Sequence, residues 1–320
     1  MSLHTLVIVN PASANGATAR RWPALRRALD RVLTRWDNQF TVGPGDATRL
    51  ARDGVRAGYE QIVAVGGDGT MNEVVSGLFP EEGDLDTPPI RADVVIAPVR
   101  QGTGGDFARY LGLPGELPGC VDHLAETATR PVDLGRIALE TPSGARLVRS
   151  FLNIASFGLS GVVVDRVNTT TKALGGRLSF AIGVARSLVS YSPKDVVVRV
   201  DGVELYRGPV VTCAVANGQY FGGGMHIARD AEADDGLLDV VIQTRSGARE
   251  ILSIRDLYDG SIADWPSVVR GRGVRVEAEP VDPREIVLLD VDGEGLGHLP
   301  ASLRLWPGGA RLNAPARPPR

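Results

Sequence analysis

Short apolar runs alternate with amphipathic stretches through the first 135 or so residues. Thr5 to Val9 reads as a buried strand and ends in a turn rich in Asn, Ser and Gly over residues 10–16. Trp22, Leu25, Leu29, Val32 and Trp36 then fall on one helical stripe, with arginines on the opposite face. Pro23 suits the first turn of such a helix. Phe40 to Val42 is a short strand, and Asp46 caps a helix running through Leu50 to about Arg56. Ile62 to Val65 is a β-branched strand, followed by Val74, Val75 and Leu78 at helical spacing. A polar, Pro-rich loop covers residues 84–91, and Asp93 to Val99 is a further strand. It enters a second glycine turn, Gly102-Thr103-Gly104-Gly105-Asp106, before a helix opened by Phe107, Ala108 and Leu111. Strands alternating with helices predict a parallel, doubly wound sheet. Such sheets bind ligands at the carboxyl ends of their strands, where all three polar turns fall.

The rhythm changes near Arg136. Short alternating segments follow: Ile137 to Leu139, Leu147 to Ala155, Val196 to Val200, Val210 to Val215, Leu238 to Ile242, Val274 to Ala278 and Ile286 to Val291. Asp201-Gly202 between two of them is a hairpin signal. One helical stretch, about Arg177 to Ser190, interrupts a mostly antiparallel β domain. Ala301 to Arg311 alternates again, and Pro315 to Arg320 reads as a loose tail. There are no internal repeats.

Composition narrows the classes. The chain has 320 residues, 43% of them hydrophobic, enough for two packed domains. A net charge of −3 gives no bulk attraction to nucleic acid. Lys172 and Lys194 are the only lysines, so there is no Walker-type Gly-Lys loop. Two distant cysteines, Cys120 and Cys213, suggest neither a disulfide framework nor a metal cluster. No signal peptide and no apolar run of membrane-spanning length is visible. The expectation is a cytoplasmic protein, free to touch a membrane surface.

The candidate chemistry centres on Val63-Ala64-Val65-Gly66-Gly67-Asp68-Gly69-Thr70-Met71-Asn72-Glu73. Glycines at a strand-to-helix turn let backbone N–H groups close on a phosphate, and the following helix points its dipole at the same place. Asp68 inside such a loop would repel phosphate unless a cation lies between, which suggests Mg²⁺. The competing reading is a glycine-rich βα turn with a capped helix.

Six ordered motifs resemble the diacylglycerol kinase catalytic family, soluble lipid kinases related to the sphingosine kinases. They are Asn10-Pro11-x-Ser13; Gly66 to Glu73; Gly102-Thr103-Gly104 with Asp106-Phe107-Ala108-Arg109; Phe221-Gly222-Gly223-Gly224-Met225; Asp234-Asp235-Gly236-x-Leu238; and Asp292-Gly293-Glu294. The resemblance covers about residues 5–310. The Gly-Gly-Asp-Gly string alone also looks like NAD kinase and phosphofructokinase; the later motifs separate the lipid kinases from both. The resemblance implies an α/β fold: an N-terminal phosphofructokinase-like doubly wound domain plus a C-terminal β-rich, β-sandwich-like domain. It implies a nucleotide-binding domain over residues 1–136, with 301–320 packing back onto it, and a lipid-acceptor and metal domain over 137–300. It implies ATP and Mg²⁺, with transfer of the γ-phosphoryl group to a lipid hydroxyl at a membrane surface. The implied nucleotide contacts are Asn10, Ser13, Thr41, Gly66, Gly67, Asp68, Gly69, Thr70, Met71, Asn72 and Thr103. A structural Mg²⁺ site is implied at Asp235 and the backbone carbonyls of Glu232 and Leu237, and catalytic carboxylates at Asp68, Asp292 and Glu294. No nucleic acid and no transmembrane segment are expected, and a homodimer is allowed.

Two departures stand out. Arg100 and Gln101 are inserted before the second glycine turn, with Gly105 where the family usually has Asn, and Arg229 stands where Pro is common. The first bears on substrate preference; neither removes a catalytic carboxylate. Arg100 is expected to meet phosphate. Asp292-Gly293-Glu294 also reads as a hairpin turn with a solvated Glu, and Asp230, Glu232, Asp234 and Asp235 also read as a solvated acidic loop. Arg270, Arg272 and Arg275 read as solvated surface rather than membrane contact. The four scattered histidines are not expected to act. The rival functions are a sphingoid-base or other lipid kinase, and a non-catalytic nucleotide- or lipid-binding regulator.

Overall fold

Four parallel strands open the chain: β1 (Thr5–Val9), β2 (Trp36–Phe40), β3 (Gln61–Gly66) and β4 (Val95–Arg100), side by side in the order β2-β1-β3-β4. The computed structural model describes residues 3–101, 105–113, 119–126, 129–141, 144–170, 191–245 and 254–314. Helices α1 (Ser13–Val32), α2 (Asp46–Arg56), α3 (Asp68–Gly77) and α4 (Asp106–Tyr110) follow the four strands. Alternate strand residues feed two cores, because successive side chains point to opposite faces. Leu6, Ile8, Ile62 and Ala64 pack with Leu50, Val74, Val75 and Leu78 of α2 and α3. Val7, Val9, Val63 and Val65 pack on the other face with Leu25 and Leu29 of α1. Burial on both faces explains why these strands read as unbroken apolar runs.

The second region is antiparallel. Its strands are β5 (Arg130–Glu140), β6 (Arg146–Phe151), β7 (Ile154–Gly158), β8 (Lys194–Val200), β9 (Val203–Val210), β10 (Thr212–Ala216), β11 (Tyr220–Phe221), β12 (Met225–His226), β13 (Leu238–Gln243), β14 (Val268–Gly273), β15 (Arg275–Pro280), β16 (Leu288–Val291) and β17 (Glu294–Leu312). Phe151, Phe157, Val198, Val215, Val240, Leu289 and Leu303 share one core there. The long β17 ties the two regions together. It pairs antiparallel with β5 and β16, and then Arg311 and Leu312 pair parallel with Val95 and Ile96 of β4. The fold is thus an N-terminal α/β domain and a C-terminal β-rich domain sharing one continuous sheet.

Several local expectations need correction. Trp36 lies on β2 and not on the α1 stripe, and β2 ends at Phe40 instead of spanning 40–42. Trp36 still packs edge-on against Trp22, at 6.5 Å between ring centroids, so its apolar spacing was real but came from tertiary contact. Asp46 does not cap α2: the capping residue is Gly45, and the Asp46 carboxylate accepts the Val42 N–H instead. α1 starts earlier than expected, which puts Pro23 inside it, with Ala14, Asn15 and Gly16 at positive φ near its start. Among the described residues, helices α5 (Leu159–Thr170) and α6 (Ile254–Asp259) add to the elements expected from the sequence. The change of rhythm near Arg136 falls within β5. Asp201 and Gly202 do form the hairpin turn between β8 and β9, both at positive φ. The helix expected over 177–190 and the tail 315–320 lie outside the described residues.

Candidate active site

The glycine loop leaves β3 and enters α3 at Asp68. Gly66 has to be glycine: a Cβ there would lie 2.3 Å from Thr70 Oγ1. Thr70 Oγ1 in turn accepts a hydrogen bond of 3.0 Å from Asn10 Nδ2, joining the turns after β1 and β3. Ser13 Oγ donates to the Asn10 carbonyl at 2.8 Å, and the buried Thr41 donates its N–H to Val9 O at 2.9 Å. Gly66, Gly67, Asp68 and Met71 line one hollow with Pro98, Arg100, Gly105 and Phe107. Thr103 lies outside the described residues.

The end of the second glycine turn, Gly105 and Asp106, is fastened to the first. Asp68 Oδ2 accepts the backbone N–H groups of Gly105 and Asp106, at 2.7 and 2.9 Å. Gly105 adopts a φ of 94°, and a Cβ there would sit 2.6 Å from Arg100 Nε. Within the first departure from the family pattern, the glycine thus makes room for the arginine five positions earlier. Asp106 is buried beside Asp68, holds Arg109 at 2.6 Å and accepts the Gly223 N–H at 2.8 Å.

Across the cleft, Asp292 and Gly293 form the turn between β16 and β17, with φ of 48° and 86°. The Asp292 carboxylate accepts four N–H groups: Leu152 (3.0 Å) and Asn72 Nδ2 (2.9 Å) on Oδ2, Asn153 (3.1 Å) and Ile154 (2.8 Å) on Oδ1. Asn72 donates as well to the Ser150 carbonyl, at 2.8 Å. The α3 helix of the first domain is thereby fastened to the second. Asp68, Met71, Asn72, Leu152, Asn153 and Asp292 line a second hollow that adjoins the first through Asp68 and Met71. Glu294 lies over the glycine loop: its Oε1 stands 3.1 Å from where a Cβ on Gly69 would be.

Electrostatics follows from crowding. Burial pushes the Asp292 carboxyl up to about 6, against the pull of its hydrogen bonds, and the Asp68 charge adds to the rise. Burial also raises Glu294, with the Glu73 and Asp292 charges adding, while Arg149 opposes them. Asp290, two residues before Asp292 on β16, is pushed up to about 7 by burial, and its Oδ1 accepts the Ser156 hydroxyl at 2.6 Å. The carboxyls of this cleft therefore repel one another in a half-dry setting. Among the described residues no three acidic, His or Cys side chains form a metal-binding group of their own. Mg²⁺ takes one or two carboxylates and completes its shell with substrate phosphates and water.

Glu73, the last residue of the glycine-loop string, has a different task. Its two oxygens accept the N–H groups of Gly45 and Ala47, both at 2.9 Å, and so satisfy the start of α2. The acidic loop is also different. Asp235 is held by Arg272 and by the Leu237 N–H, Asp234 by Arg130 at 3.0 Å, and Asp230 by Arg270. Neither Glu232, Asp235 nor Leu237 lines either hollow. A cation bound at Asp235 would have to share its carboxylate with the Arg272 guanidinium.

Asp290, Asn153 and Asp106 complete the surroundings of the site without having been singled out as site residues. Asp290 carried a signal, an acid in an otherwise apolar strand. Asn153 carried none, because it meets Asp292 mainly through its backbone.

Two family models match the chain: the diacylglycerol kinase catalytic domain over residues 4–137 and the YegS C-terminal NAD kinase beta sandwich-like domain over residues 153–314. A Bacillus subtilis (strain 168) protein named "Diacylglycerol kinase" is 28% identical, over 92% of this chain and 90% of its own. A protein of Pseudomonas syringae pv. syringae (strain B728a) named "Probable lipid kinase YegS-like" is 31% identical, over 87% of this chain and 88% of its own. The crystal structure of a diacylglycerol kinase from Bacillus anthracis str. Sterne has the same fold, with a TM-score of 0.70 at 22% identity over 98% of this chain and 97% of that one.

Proposed function

The chain belongs to the diacylglycerol kinase catalytic family, phosphotransferases with an alcohol acceptor, and from that premise we propose that it transfers the γ-phosphoryl group of ATP to the hydroxyl of diacylglycerol or a similar lipid alcohol. The observation that carries the proposal is the position of Glu294 over Gly69. A raised carboxyl from one end of the chain faces a phosphate-cradling glycine loop from the other.

In this reading the glycine-loop amides of residues 66–72 hold the phosphates, with Asn10, Ser13, Thr41 and Thr103 along the nucleotide. Asp68 would hold Mg²⁺, which would supply charge neutralisation at the phosphates. Glu294 accepts the proton of the acceptor hydroxyl as its oxygen bonds to the γ-phosphorus and ADP leaves. Asp292 is a positioning residue. Its oxygens are already committed to four donors, so it holds the turn that aims Glu294. Residues 1–136 with 301–320 form the nucleotide-binding part and 137–300 the lipid-acceptor part; the return of Arg311 and Leu312 to β4 supports this for the end of β17, whereas Ala301, Leu303 and Leu305 pack in the core of the second part. A structural cation at Asp235 belongs to the same proposal. The protein works in the cytoplasm at a membrane surface; among the described residues no helix is long and apolar enough to cross a membrane.

The test is incorporation of label from γ-labelled ATP into a panel of lipid alcohols that includes a diacylglycerol and a sphingoid base. Labelled diacylglycerol is expected. Labelling of the sphingoid base alone would reassign the acceptor, and labelling of nothing with ATP still bound would make the chain a regulator.

A further inference from the structure

Positive charge is scarce at the cleft. The described residues that line its two hollows include two acids, Asp68 and Asp292, and a single cation, Arg100. Arg109 is tied to Asp106 at 2.6 Å. Arg149 lies near enough to Glu294 to pull its carboxyl down. Neither lysine of the chain, Lys172 or Lys194, belongs to a glycine turn.

Arg100 is the last residue of β4, and its register partner on the neighbouring parallel strand is Gly66, where the glycine loop begins. Adjacent strands run about 4.8 Å apart, so an anion seated on the loop amides lies within the span of an arginine side chain. Alternation puts Arg100 on one face with Ile96 and Pro98, and Gly66 on the same face with Ile62 and Ala64. That face carries the first hollow. Gly105 sets the path of the side chain. A Cβ on Gly105 would lie 3.1 Å from Arg100 Cγ, 2.8 Å from Cδ and 2.6 Å from Nε, so the stem runs across this glycine. The Gly105 N–H is the one that Asp68 Oδ2 accepts at 2.7 Å, which brings Arg100 to the acid of the loop. Arg100 is half-buried and shares the hollow with Ala64, Met71, Pro98, Phe107 and Ala108. Such an apolar lining strengthens the attraction between a guanidinium and an anion.

Resting on the kinase reading for the ligand, we propose that Arg100 binds the phosphate chain of the nucleotide, as the fixed cation that complements Mg²⁺ at the glycine loop. A triphosphate carries more charge than one Mg²⁺ neutralises, and the loop amides bring only partial charges. A guanidinium meets phosphate oxygens two at a time through its planar fork and keeps its charge at any pH at which the chain is folded. Gly105 belongs to the same device: it leaves open the path along which the side chain reaches the loop. A phosphate on the acceptor would meet the same chemistry, and the experiment separates the two sources.

The experiment is calorimetric titration of the full chain with ATP in Mg²⁺, and with adenosine as the control that lacks phosphate. Arg100→Ala should weaken ATP by about tenfold or more and adenosine by less than about twofold. Arg100→Lys keeps the charge and loses the fork, so its ATP affinity should fall between the two; it also keeps the test decisive if the alanine variant folds poorly. Gly105→Ala sets a Cβ against the Arg100 stem and should weaken ATP as well, with a smaller effect once Arg100 is already alanine. ATP affinities of both Arg100 variants within about twofold of wild type would overturn the proposal. So would equal losses for ATP and adenosine, the mark of a merely structural role. A rise in KM confined to the lipid acceptor would overturn it too and give the arginine to that substrate. A wild-type chain that binds no ATP would sink the kinase reading and the role of Arg100 together. Arg100-dependent ATP binding with no lipid labelled would sink the kinase reading alone.

Discussion

Two groups of carboxylates in this chain are built from the same residue types and held in opposite ways. At the cleft, the oxygens of Asp68 and Asp292 accept backbone and Asn72 N–H groups. At the acidic loop, Asp230, Asp234, Asp235 and Asp239 each meet an arginine. Amide donors fix a carboxylate without cancelling its charge, whereas a guanidinium does both. The two groups therefore differ in the donors that meet their acids: amides at the cleft, and Arg130, Arg270 and Arg272 around the loop. Acid content alone does not distinguish a reactive site from a buttress; the partners do.

The sharpest way to break this comparison is Glu294→Gln, which keeps shape and removes basicity. It should cut kcat by roughly 10²–10⁴ with nucleotide affinity near wild type. Normal turnover of this variant together with a dead Asp292→Asn would exchange the two roles. Asp68→Asn comes next. Its oxygen can still accept the Gly105 and Asp106 N–H groups, so the fold should survive while turnover drops about a hundredfold or more and more Mg²⁺ is needed. Full activity at unchanged Mg²⁺ demand would remove Asp68 from the metal.

A smaller effect concerns pH. Burial pushes the Asp290 and Asp292 carboxyls up to about 7 and about 6 in the folded chain, above the ordinary carboxyl value of 3.8. Between about pH 4 and pH 7 the folded chain holds protons that the unfolded chain has lost, so their contribution to stability is fully present below about pH 4 and declines as pH rises through the folded values. The melting temperature of Asp290→Asn should fall less than that of the wild type from pH 5 to pH 8. Parallel profiles would mean that Asp290 does not titrate in that window.

The smallest effect belongs to the acidic loop. Asp235 and Arg272 are partly exposed, so breaking their pair should cost less than about 1 kcal/mol. If a structural cation also binds there, Asp235→Ala should lower the melting temperature more in Mg²⁺ than in chelator. Equal melting shifts in both conditions would leave arginine as the loop's sole counter-charge.

The sequence by itself determined the alternation of strand and helix up to β4, the antiparallel region beyond it, and the glycine loop with its acid. Those features are written in local periodicity and in residues with special backbone freedom, which neighbours along the chain suffice to reveal. Resemblance to the family added Asp292 and Glu294 as candidates. Tertiary structure alone decided the rest. It moved Trp36 from a helical stripe to an edge strand against Trp22, and it gave Glu73 to the start of α2. It paired Gly105 with Arg100 and set Asn72 between Ser150 and Asp292. It separated the four-donor carboxylate of Asp292 from the arginine-bound one of Asp235, because the charge left on an acid is fixed by the donors that reach it in space, and these come from 140 and 220 positions away for Leu152 and Asn72.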